Sequence, residues 1–231
     1  MGIPPLTRLG DSTWTELDAA GAASPILAVP IGSCEQHGPH LPLDTDTRIA
    51  VAIAAGIAAV DPRVVVAPAL AITASGEHHG FPGTLSVGTA VFEQVLIELV
   101  RSADWSAGVV LVNGHGGNAA AVQRAVAVLA GEGRNVLSWW PRIPGGDAHA
   151  GRTETSLMLA IDAEVVRLEA ARAGNTAPVG ELLAALTAGG VQAVSPNGVL
   201  GDPTGATASE GAAILGQLVA DALQRLRAWR A

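Results

Sequence analysis

The chain alternates short apolar runs with longer segments of mixed polarity, and this pattern occurs four times. Each unit has a β-branched run, a loop rich in glycine and polar residues, and then an amphipathic stretch. The apolar runs predict strands, at residues 25–31, 64–70, 109–112 and 135–140. The stretches predict helices, at residues 47–60, 89–102 and 119–130, and from near Glu154 onwards. Strands alternating with helices indicate an α/β fold whose mainly parallel central sheet is covered on both faces.

The two ends of the chain are less regular. Residues 1–24 predict an irregular lead-in with one short helix at residues 13–20. After about residue 173 the chain is rich in glycine and proline turns, and a last helix is predicted at residues 208–229. Within this part, GVLGDPTGAT is typical of an ordered loop near a site or at a subunit contact, or of a turn-rich connection. No clear boundary divides the sequence, which predicts a single domain over residues 1–231.

Composition limits the classes of function. Hydrophobic residues make up 49% of the 231 residues and charged residues 15%, which predicts a folded chain with a substantial core. The longest apolar run, residues 49–60, is too short to cross a membrane, and no signal sequence opens the chain, so we expect a cytoplasmic protein. Cys34 is a lone cysteine, which excludes an internal disulfide.

The net charge and the apolar content indicate which classes of partner to expect. The net charge is −8 and no basic stripe is present, so we expect neither a nucleic acid nor a membrane as partner. The high apolar content with few charges favours a homo-oligomer, because apolar surface has to be covered.

The stretch IGSCEQHGPHLPLDTD, residues 31–46, follows the first predicted strand and concentrates candidate chemistry. It contains five acidic or imidazole side chains, Glu35, His37, His40, Asp44 and Asp46. Glu35 and His37 are two apart, so in an extended segment they project from the same side. Two prolines then form a stiff loop that brings Asp46 back. Carboxylates with an imidazole suit Zn, Mn or Fe(II), whereas the alternative is a polar loop with a capping aspartate.

Similar side chains follow the other predicted strands. They occur in the motifs GEHHGFPGT, NGHGGN and HAGRTETS. All six histidines of the chain come just after a strand. In open α/β sheets, ligands bind beyond the carboxyl ends of the strands, where these loops converge. The distribution therefore predicts one metal or catalytic site.

The motifs differ in what they indicate. Around His115, Gly116 and Gly117 allow close approach of the backbone to a ligand, and their N–H groups are suited to stabilise an oxyanion; a tight turn is the alternative. His149 has the ordinary pKa of a proton shuttle. Glu154 by itself is equally typical of a carboxylate in the first turn of a helix. We expect His78 or His79 to reach the substrate, and a histidine that is hydrogen-bonded to loop backbone is the alternative.

Together, EQHGPHLPLDTD, GEHHGFPGT, NGHGGN and HAGRTETS resemble the creatininase (creatinine amidohydrolase) family, in the family's order. Longer segments, GGDAHAGRTETS, RAGNTAPVGELL and AVSPNGVLGDPTGAT, look like the branch of that family that acts in mycofactocin maturation. The resemblance implies a three-layer α/β/α creatininase-like fold. It also implies metal-dependent hydrolysis of an amide bond.

The resemblance further implies two divalent metal ions per subunit. One ion would be bound by Glu35, Asp46 and His115, and the other by His37, Asp46 and a further carboxylate. In creatininase that carboxylate lies two residues after the counterpart of His115, where this chain has Gly117. Glu154 is the predicted replacement. The implied metals are Zn and Fe(II), and Mn is also compatible with these ligands.

The implied reaction is attack by a hydroxide that bridges the two metals. His149 would give a proton to the leaving amine, while the backbone of Gly116 and Gly117 would support the oxyanion. The implied substrate is a modified mycofactocin precursor peptide, cut before its decarboxylated and cross-linked C-terminal Val-Tyr pair to release a pyrrolidinone. The implied assembly is a hexamer or octamer built from dimers.

Two other functions fit the same residues. One is a creatininase-like hydrolase of a small cyclic amide or formamide. The other is a metal-dependent binding protein that carries the peptide without cutting it. The products formed from each compound distinguish these functions from the peptidase.

Overall fold

A computed structural model describes residues 8–19 and 24–230. Its four strands form one parallel sheet in the order β2-β1-β3-β4. The strands are β1 (Ile26–Ile31), β2 (Val64–Val66), β3 (Gly108–Asn113) and β4 (Val136–Trp139). The α-helices are α1 (Trp14–Ala19), α2 (Thr45–Val60), α3 (Thr89–Ser102), α4 (Ala119–Gly131), α5 (Arg152–Ile161), α6 (Val179–Val194) and α7 (Ala208–Arg230). The predicted α/β fold is confirmed, and Ala20, the last residue of the first predicted helix, lies outside the described residues.

Strands β1, β2 and β3 are buried on both faces, and successive side chains of the central strands enter different cores. Ile26 and Ala28 of β1 pack in the core that includes α2, α5 and α7. Leu27 and Val29 pack in the core formed with α3 and α4. This alternation follows from the two-residue period of a strand. The result is three layers, with helices on both sides of the sheet, as the sequence predicts.

The order of the strands determines where ligands can bind. β1 pairs with β2 on one side and with β3 on the other, from the pair Ile26–Gly108 to the pair Ile31–Asn113. The connection after β1 leads to β2 on one side, and the connection after β3 leads to β4 on the other side, so a crevice opens at the carboxyl ends of β1 and β3. The loops that follow these two strands therefore meet at one edge of the sheet.

Strand β2 ends at Val66, four residues before the predicted end at residue 70. Pro68 follows, and proline has no N–H group for a sheet hydrogen bond. Backbone pairing with β1 continues irregularly, because the N–H of Ala67 donates to Ala28 O at 2.8 Å and that of Leu70 to Pro30 O at 2.9 Å.

Helix α6 was not predicted from the sequence, which indicated turns in this part of the chain. Most of its residues are exposed, and only Val191 is buried. Gly190 has a φ of +68° inside the helix, a conformation that favours glycine. A Cβ atom at this position would lie 2.6 Å from the carbonyl oxygen of Glu77. Glycine at this position therefore allows the end of α6 to contact the 3₁₀ turn Gly76–His78.

Over residues 8–19 and 24–230, the helices lack the combination of length and apolar character needed to cross a lipid bilayer.

Candidate metal and active site

The loop after β1 and the start of α2 together present the first part of the site. The N–H of Glu35 donates to Leu43 O at 2.9 Å, which closes the loop over its two prolines. Helix α2 begins at Thr45, so Asp46 lies in its first turn, where the helix dipole favours a carboxylate. The Ser33 hydroxyl donates to Asp46 Oδ2 at 2.8 Å. Glu35 and Asp46 are both buried.

The loop after β3 brings His115 to the same place. His115 Nδ1 lies 3.1 Å from Glu35 Oε1 and 3.1 Å from Asp46 Oδ2. Its Nε2 lies 2.9 Å from the carbonyl oxygen of Ala74 and can donate to it, which fixes the ring orientation. The side-chain amide of Asn113 donates to His115 O at 2.8 Å, so the NGHGGN loop is held by its own first residue.

A second group of side chains lies beside the first. His37 Nε2 is 3.1 Å from Asp46 Oδ1 and 3.9 Å from Glu154 Oε2. Its Nδ1 can donate to Glu35 O at 3.1 Å. The N–H of Ala150 donates to Glu154 Oε2 at 2.6 Å, and Ala150 has a φ of +52°, which is uncommon for a residue with a side chain. Backbone strain next to Glu154 is typical of functional sites.

His149 joins the cluster from the loop after β4. Its ring centroid is 4.3 Å from that of His37 and 4.6 Å from that of His78. Its Nε2 lies 2.8 Å from Gln36 O and donates to it in the tautomer that carries the Nε2 proton. Backbone pairing of His149 with Leu200 places the GVLGDPTGAT segment against the site. The segment therefore lies near the candidate site, which is one of the two positions expected for an ordered loop.

The structure distinguishes between the two adjacent histidines after β2. His78 is buried and its Nε2 lies 3.2 Å from Glu35 Oε1, whereas His79 is exposed. Three groups of side chains have potential ligand atoms that all lie within 4.8 Å of one another. They are Glu35, Asp46 and His115; His37, His149 and Glu154; and Glu35, His78 and His149.

The arrangement fits a bound cation. Both carboxylate oxygens of Glu35 are buried and have no hydrogen bond of ordinary geometry within the described part of the chain. The imidazole nitrogens of His78 and His115 nevertheless lie 3.2 and 3.1 Å from its Oε1. Two ligand atoms that each lie about 2.1 Å from a tetrahedral zinc ion are about 3.4 Å apart. These separations are therefore close to those between ligands of one ion.

The charges in the cluster shift one another's pKa values. Burial acts to lower the pKa of His37, but neighbouring carboxylates, above all Asp46, raise it to about 10. Burial also acts to lower the pKa of His115, but neighbouring carboxylates, above all Glu35, raise it well above its ordinary value. Burial raises the pKa of Glu154 to about 7, against the effect of His37. Without a cation, the site therefore holds protons.

Zinc binding at neutral pH should displace these protons. His37 keeps its proton up to its raised pKa of about 10, and His115 behaves in the same way. Below those values, each unit increase in pH should tighten zinc binding about tenfold for each proton released. Competition with a chelator between about pH 6 and pH 8 measures this dependence. An affinity that does not change with pH would contradict the assignment of these histidines.

The space at Gly117 is occupied by another carboxylate. A Cβ atom on Gly117 would lie 1.9 Å from Glu77 Oε1 and 2.4 Å from His115 Nε2. Glu77 Oε1 is itself 3.4 Å from His115 Nε2. Burial acts to raise the pKa of Glu77, but interaction with His115 lowers it below its ordinary value, which favours the charged form. The sequence places Glu77 among the polar side chains that follow the second predicted strand, but it does not relate this residue to Gly117, which is far away along the chain.

Two other residues of the first motif lie outside this cluster. His40 is buried, and its Nε2 lies 2.9 Å from the hydroxyl of Thr155 on α5. Burial lowers the pKa of His40 to about 4, so the ring is neutral. Asp44 forms an ion pair with Arg48 at 2.8 Å. Both residues connect the loop to neighbouring helices.

A cavity of about 410 Å³ opens beside the cluster. One wall contains Glu35, His115 and His149 with the backbone of Gly116 and Gly117. A Cβ atom on Gly116 would have no described neighbour within 4 Å, so the backbone there is open to a ligand. The predicted Gly116, Gly117 and His149 thus line one cavity with Glu35 and His115, whereas Asp46 and Glu154 are not among its lining residues.

Sequence comparisons identify relatives over almost the whole chain. A sequence profile of the creatininase family, described as creatinine amidohydrolase, matches residues 10–226. The chain is 50% identical over 229 residues to the mycofactocin precursor peptide peptidase of Mycolicibacterium smegmatis, with 96% of this chain and 91% of the relative covered. It is 29% identical over 195 residues to the creatinine amidohydrolase of Pseudomonas putida, with 70% and 74% covered.

Solved structures agree with the fold. A mutant creatininase superposes with a TM-score of 0.80 and 25% sequence identity, covering 96% of this chain and 98% of that chain. A structure described as Creatininase Mn gives a TM-score of 0.76 at 23% identity, with 96% and 98% covered.

Proposed function

Because the chain belongs to the creatininase family, we propose that it is a metal-dependent peptidase that cuts an amide bond of the mycofactocin precursor peptide. The observation that carries this proposal is the buried cluster of carboxylates and imidazoles from four strand-end loops, next to an open cavity. The name of the relative from Mycolicibacterium smegmatis supports the peptide as substrate.

We assign the metal ligands from the directions in which the two carboxylate oxygens of Asp46 point. Oδ2 faces His115 and Oδ1 faces His37, so one carboxylate can bind two cations. Glu35, Asp46 and His115 would hold one of them. His37, Asp46 and Glu154 would hold the other. Mixed carboxylate and imidazole ligands are compatible with the proposed Zn and Fe(II), and with Mn.

The chemistry follows from the surroundings of the cations. When bound, two such cations polarise a carbonyl group and lower the pKa of water. Burial above all holds the pKa of His149 well below its ordinary value, so the ring is neutral. His149 can take the proton of the attacking water at Nδ1 while Nε2 donates to Gln36 O. Passing this proton to the leaving amine completes the hydrolysis, an effect worth about 10² to 10⁴ in rate.

The proposed cut lies before a C-terminal Val-Tyr pair that has been decarboxylated and cross-linked. Hydrolysis there adds water across the amide, forms a carboxylate on the shortened peptide and frees the amine of a pyrrolidinone. The N–H groups of Gly116 and Gly117 line the cavity and are suited to stabilise the developing oxyanion.

Incubating zinc- and iron-loaded protein with the modified peptide tests the proposal. Mass spectrometry should show the pyrrolidinone and the shortened peptide, and removing the metals with a chelator should abolish both. Creatinine serves as a second substrate in a parallel reaction. Turnover of creatinine alone would indicate the small-amide hydrolase, and peptide that stays bound but intact would indicate a carrier protein.

Replacing Glu154 with glutamine tests the ligand assignment. We expect loss of one metal equivalent and retention of the other, because only the second set of ligands includes Glu154. Glu77→Gln is the matched control, since Glu77 is also a carboxylate at the site and fills the space at Gly117. Elemental analysis measures the metal content. Full metal content in Glu154→Gln, or loss of the second metal in Glu77→Gln instead, would contradict the assignment.

We also propose a cytoplasmic homo-oligomer of six or eight subunits. Large apolar side chains on the surface support an assembly, among them Trp14 at 76% exposure and Val91 at 55%. Light scattering measures the mass of the assembly, and a monomer in solution would contradict this part of the proposal.

A further inference from the structure

Part of the lining of the cavity beside the candidate site is apolar. It is formed mainly by helix α6, which contributes Val179, Leu183, Leu186, Thr187 and Val191. Val191 lies beyond Gly190, where a φ of +68° and a ψ of −172° break the helix, so helical spacing applies only to the other four. The positions of those four recur every three to four residues, which places them on one face of the helix. We call this face the α6 stripe. Val179 and Leu183 are 48% and 57% exposed, so the stripe offers apolar surface that the described residues do not cover.

The last turn of α6 is fixed against the site, so the α6 stripe has a defined position. The backbone of Gly190 approaches Glu77 O, and the side chain of Gln192 approaches Gly80, where a Cβ atom would lie 2.5 Å from Gln192 Oε1. The turn Gly76–His78 that receives α6 also carries His78, which lies 3.2 Å from Glu35. The stripe and the catalytic cluster are thus held by the same turn.

The chemistry of the cavity selects its ligand. The charged side chains among its described lining are carboxylates and imidazoles, and lysine and arginine are absent from that lining. A ligand carboxylate placed against the stripe, away from the proposed cations, would be buried among apolar side chains without lysine or arginine, which is costly. An uncharged apolar group would instead bury its surface against the stripe. The same cavity reaches His115 and His149, so this group lies beside the bond that reacts.

We infer that the α6 stripe determines specificity by binding an uncharged apolar group of the peptide next to the amide that is cut. This inference rests on the proposed peptidase function and adds to it the residues that select the substrate. A cavity of about 410 Å³ has room for a ring that carries an aromatic substituent. Leu183, at the centre of the stripe, makes the largest exposed apolar contribution.

Leu183→Asp tests the inference by placing a charge on the stripe. Leu168→Asp is the matched control, because Leu168 is 47% exposed and does not line the cavity. With the modified peptide, we expect the KM of Leu183→Asp to rise about tenfold, with kcat within about threefold of wild type. The KM of Leu168→Asp should not change. Metal content should be equal in all three proteins.

A pair of inhibitors gives an independent readout. A benzyl-substituted pyrrolidinone should inhibit the wild type about tenfold more strongly than unsubstituted pyrrolidinone, because the aromatic ring contacts the stripe. Leu183→Asp should lose most of this difference and Leu168→Asp should keep it.

The outcomes separate this inference from the proposed function. Absence of peptide cleavage by the metal-loaded wild type would overturn both. Cleavage by the wild type with an unchanged KM in Leu183→Asp would overturn the inference alone. Light scattering tests whether the stripe is instead occupied by a second copy of this chain. A smaller assembly for Leu183→Asp than for Leu168→Asp would show that a subunit covers the stripe, and would also overturn the inference.

Discussion

Replacing Asp46 with asparagine should remove both metals and lower kcat/KM for the modified peptide by about 10³-fold or more. The two carboxylate oxygens of Asp46 lie 3.1 Å from His37 and 3.1 Å from His115. Among the described carboxylates, only that of Asp46 contacts both histidines this closely. Asparagine keeps the size of the side chain but has no negative charge to offset the two cations. Elemental analysis and peptide turnover measure the two effects.

Asp44→Asn is the matched control for this prediction. Asp44 lies two residues before Asp46 and pairs with Arg48 at the surface, with 46% of its side chain exposed. An exposed ion pair contributes little to stability, so metal content and turnover should stay at wild-type values. Two bound metals in Asp46→Asn, or similar losses in both variants, would show that Asp46 does not bridge the cations.

Replacing Gly211 with alanine should lower the stability of the protein by about 3 kcal/mol or more. A Cβ atom at Gly211 would lie 1.7 Å from the carbonyl oxygen of Ser156 and 2.3 Å from its carbonyl carbon. These are backbone atoms of α5, so α5 and α7 would have to separate. For a chain of this size, thermal unfolding should shift down by about 6 to 12 °C. Because Glu154 lies two residues before Ser156 on α5, the second metal proposed to bind there should also bind more weakly.

Gly216→Ala is the control on the same helix. Gly216 is exposed, and a Cβ atom there would have no described neighbour within 4 Å. Alanine forms helix more readily than glycine, so this variant should be more stable by about 0.5 to 1 kcal/mol. Calorimetry should therefore give shifts of opposite sign for the two substitutions. Equal shifts would show that the close contact at Gly211 does not hold the two helices together.

The elements of the fold could be predicted from the sequence where burial in the core determines their pattern of apolar residues. β1 and β3 are buried on both faces, so they read as continuous apolar runs. Helix α6 could not be predicted in this way, because it is mostly exposed and its apolar face lies on a cavity instead of the core. Gly189 and Gly190 also interrupt the helical pattern, and glycine pairs usually indicate turns.

The approach of Glu35, His37, Asp46 and His115 could be anticipated from the sequence, because the carboxyl ends of parallel strands meet at one edge of a sheet. The sequence does not indicate which of the two adjacent histidines after β2 enters the site. His78 and His79 are the same residue type, and only the 3₁₀ turn directs His78 towards Glu35.

The role of Glu77 depends on tertiary contacts alone. Its carboxylate fills the space beside Gly117 only because the loops after β2 and β3 pack together. No spacing along the chain relates these two residues. His40 shows the converse, since its residue type suits a metal ligand while the fold places it against Thr155.

The proposed site holds two cations at one edge of the sheet, bound by side chains from separate loops. Anomalous diffraction from crystals of the metal-loaded protein locates these cations. We expect two peaks that share Asp46, each about 2.0 to 2.2 Å from its ligands, one beside Glu35 and His115 and the other beside His37. A single peak, or no peak within this cluster, would show that these side chains do not bind a pair of cations.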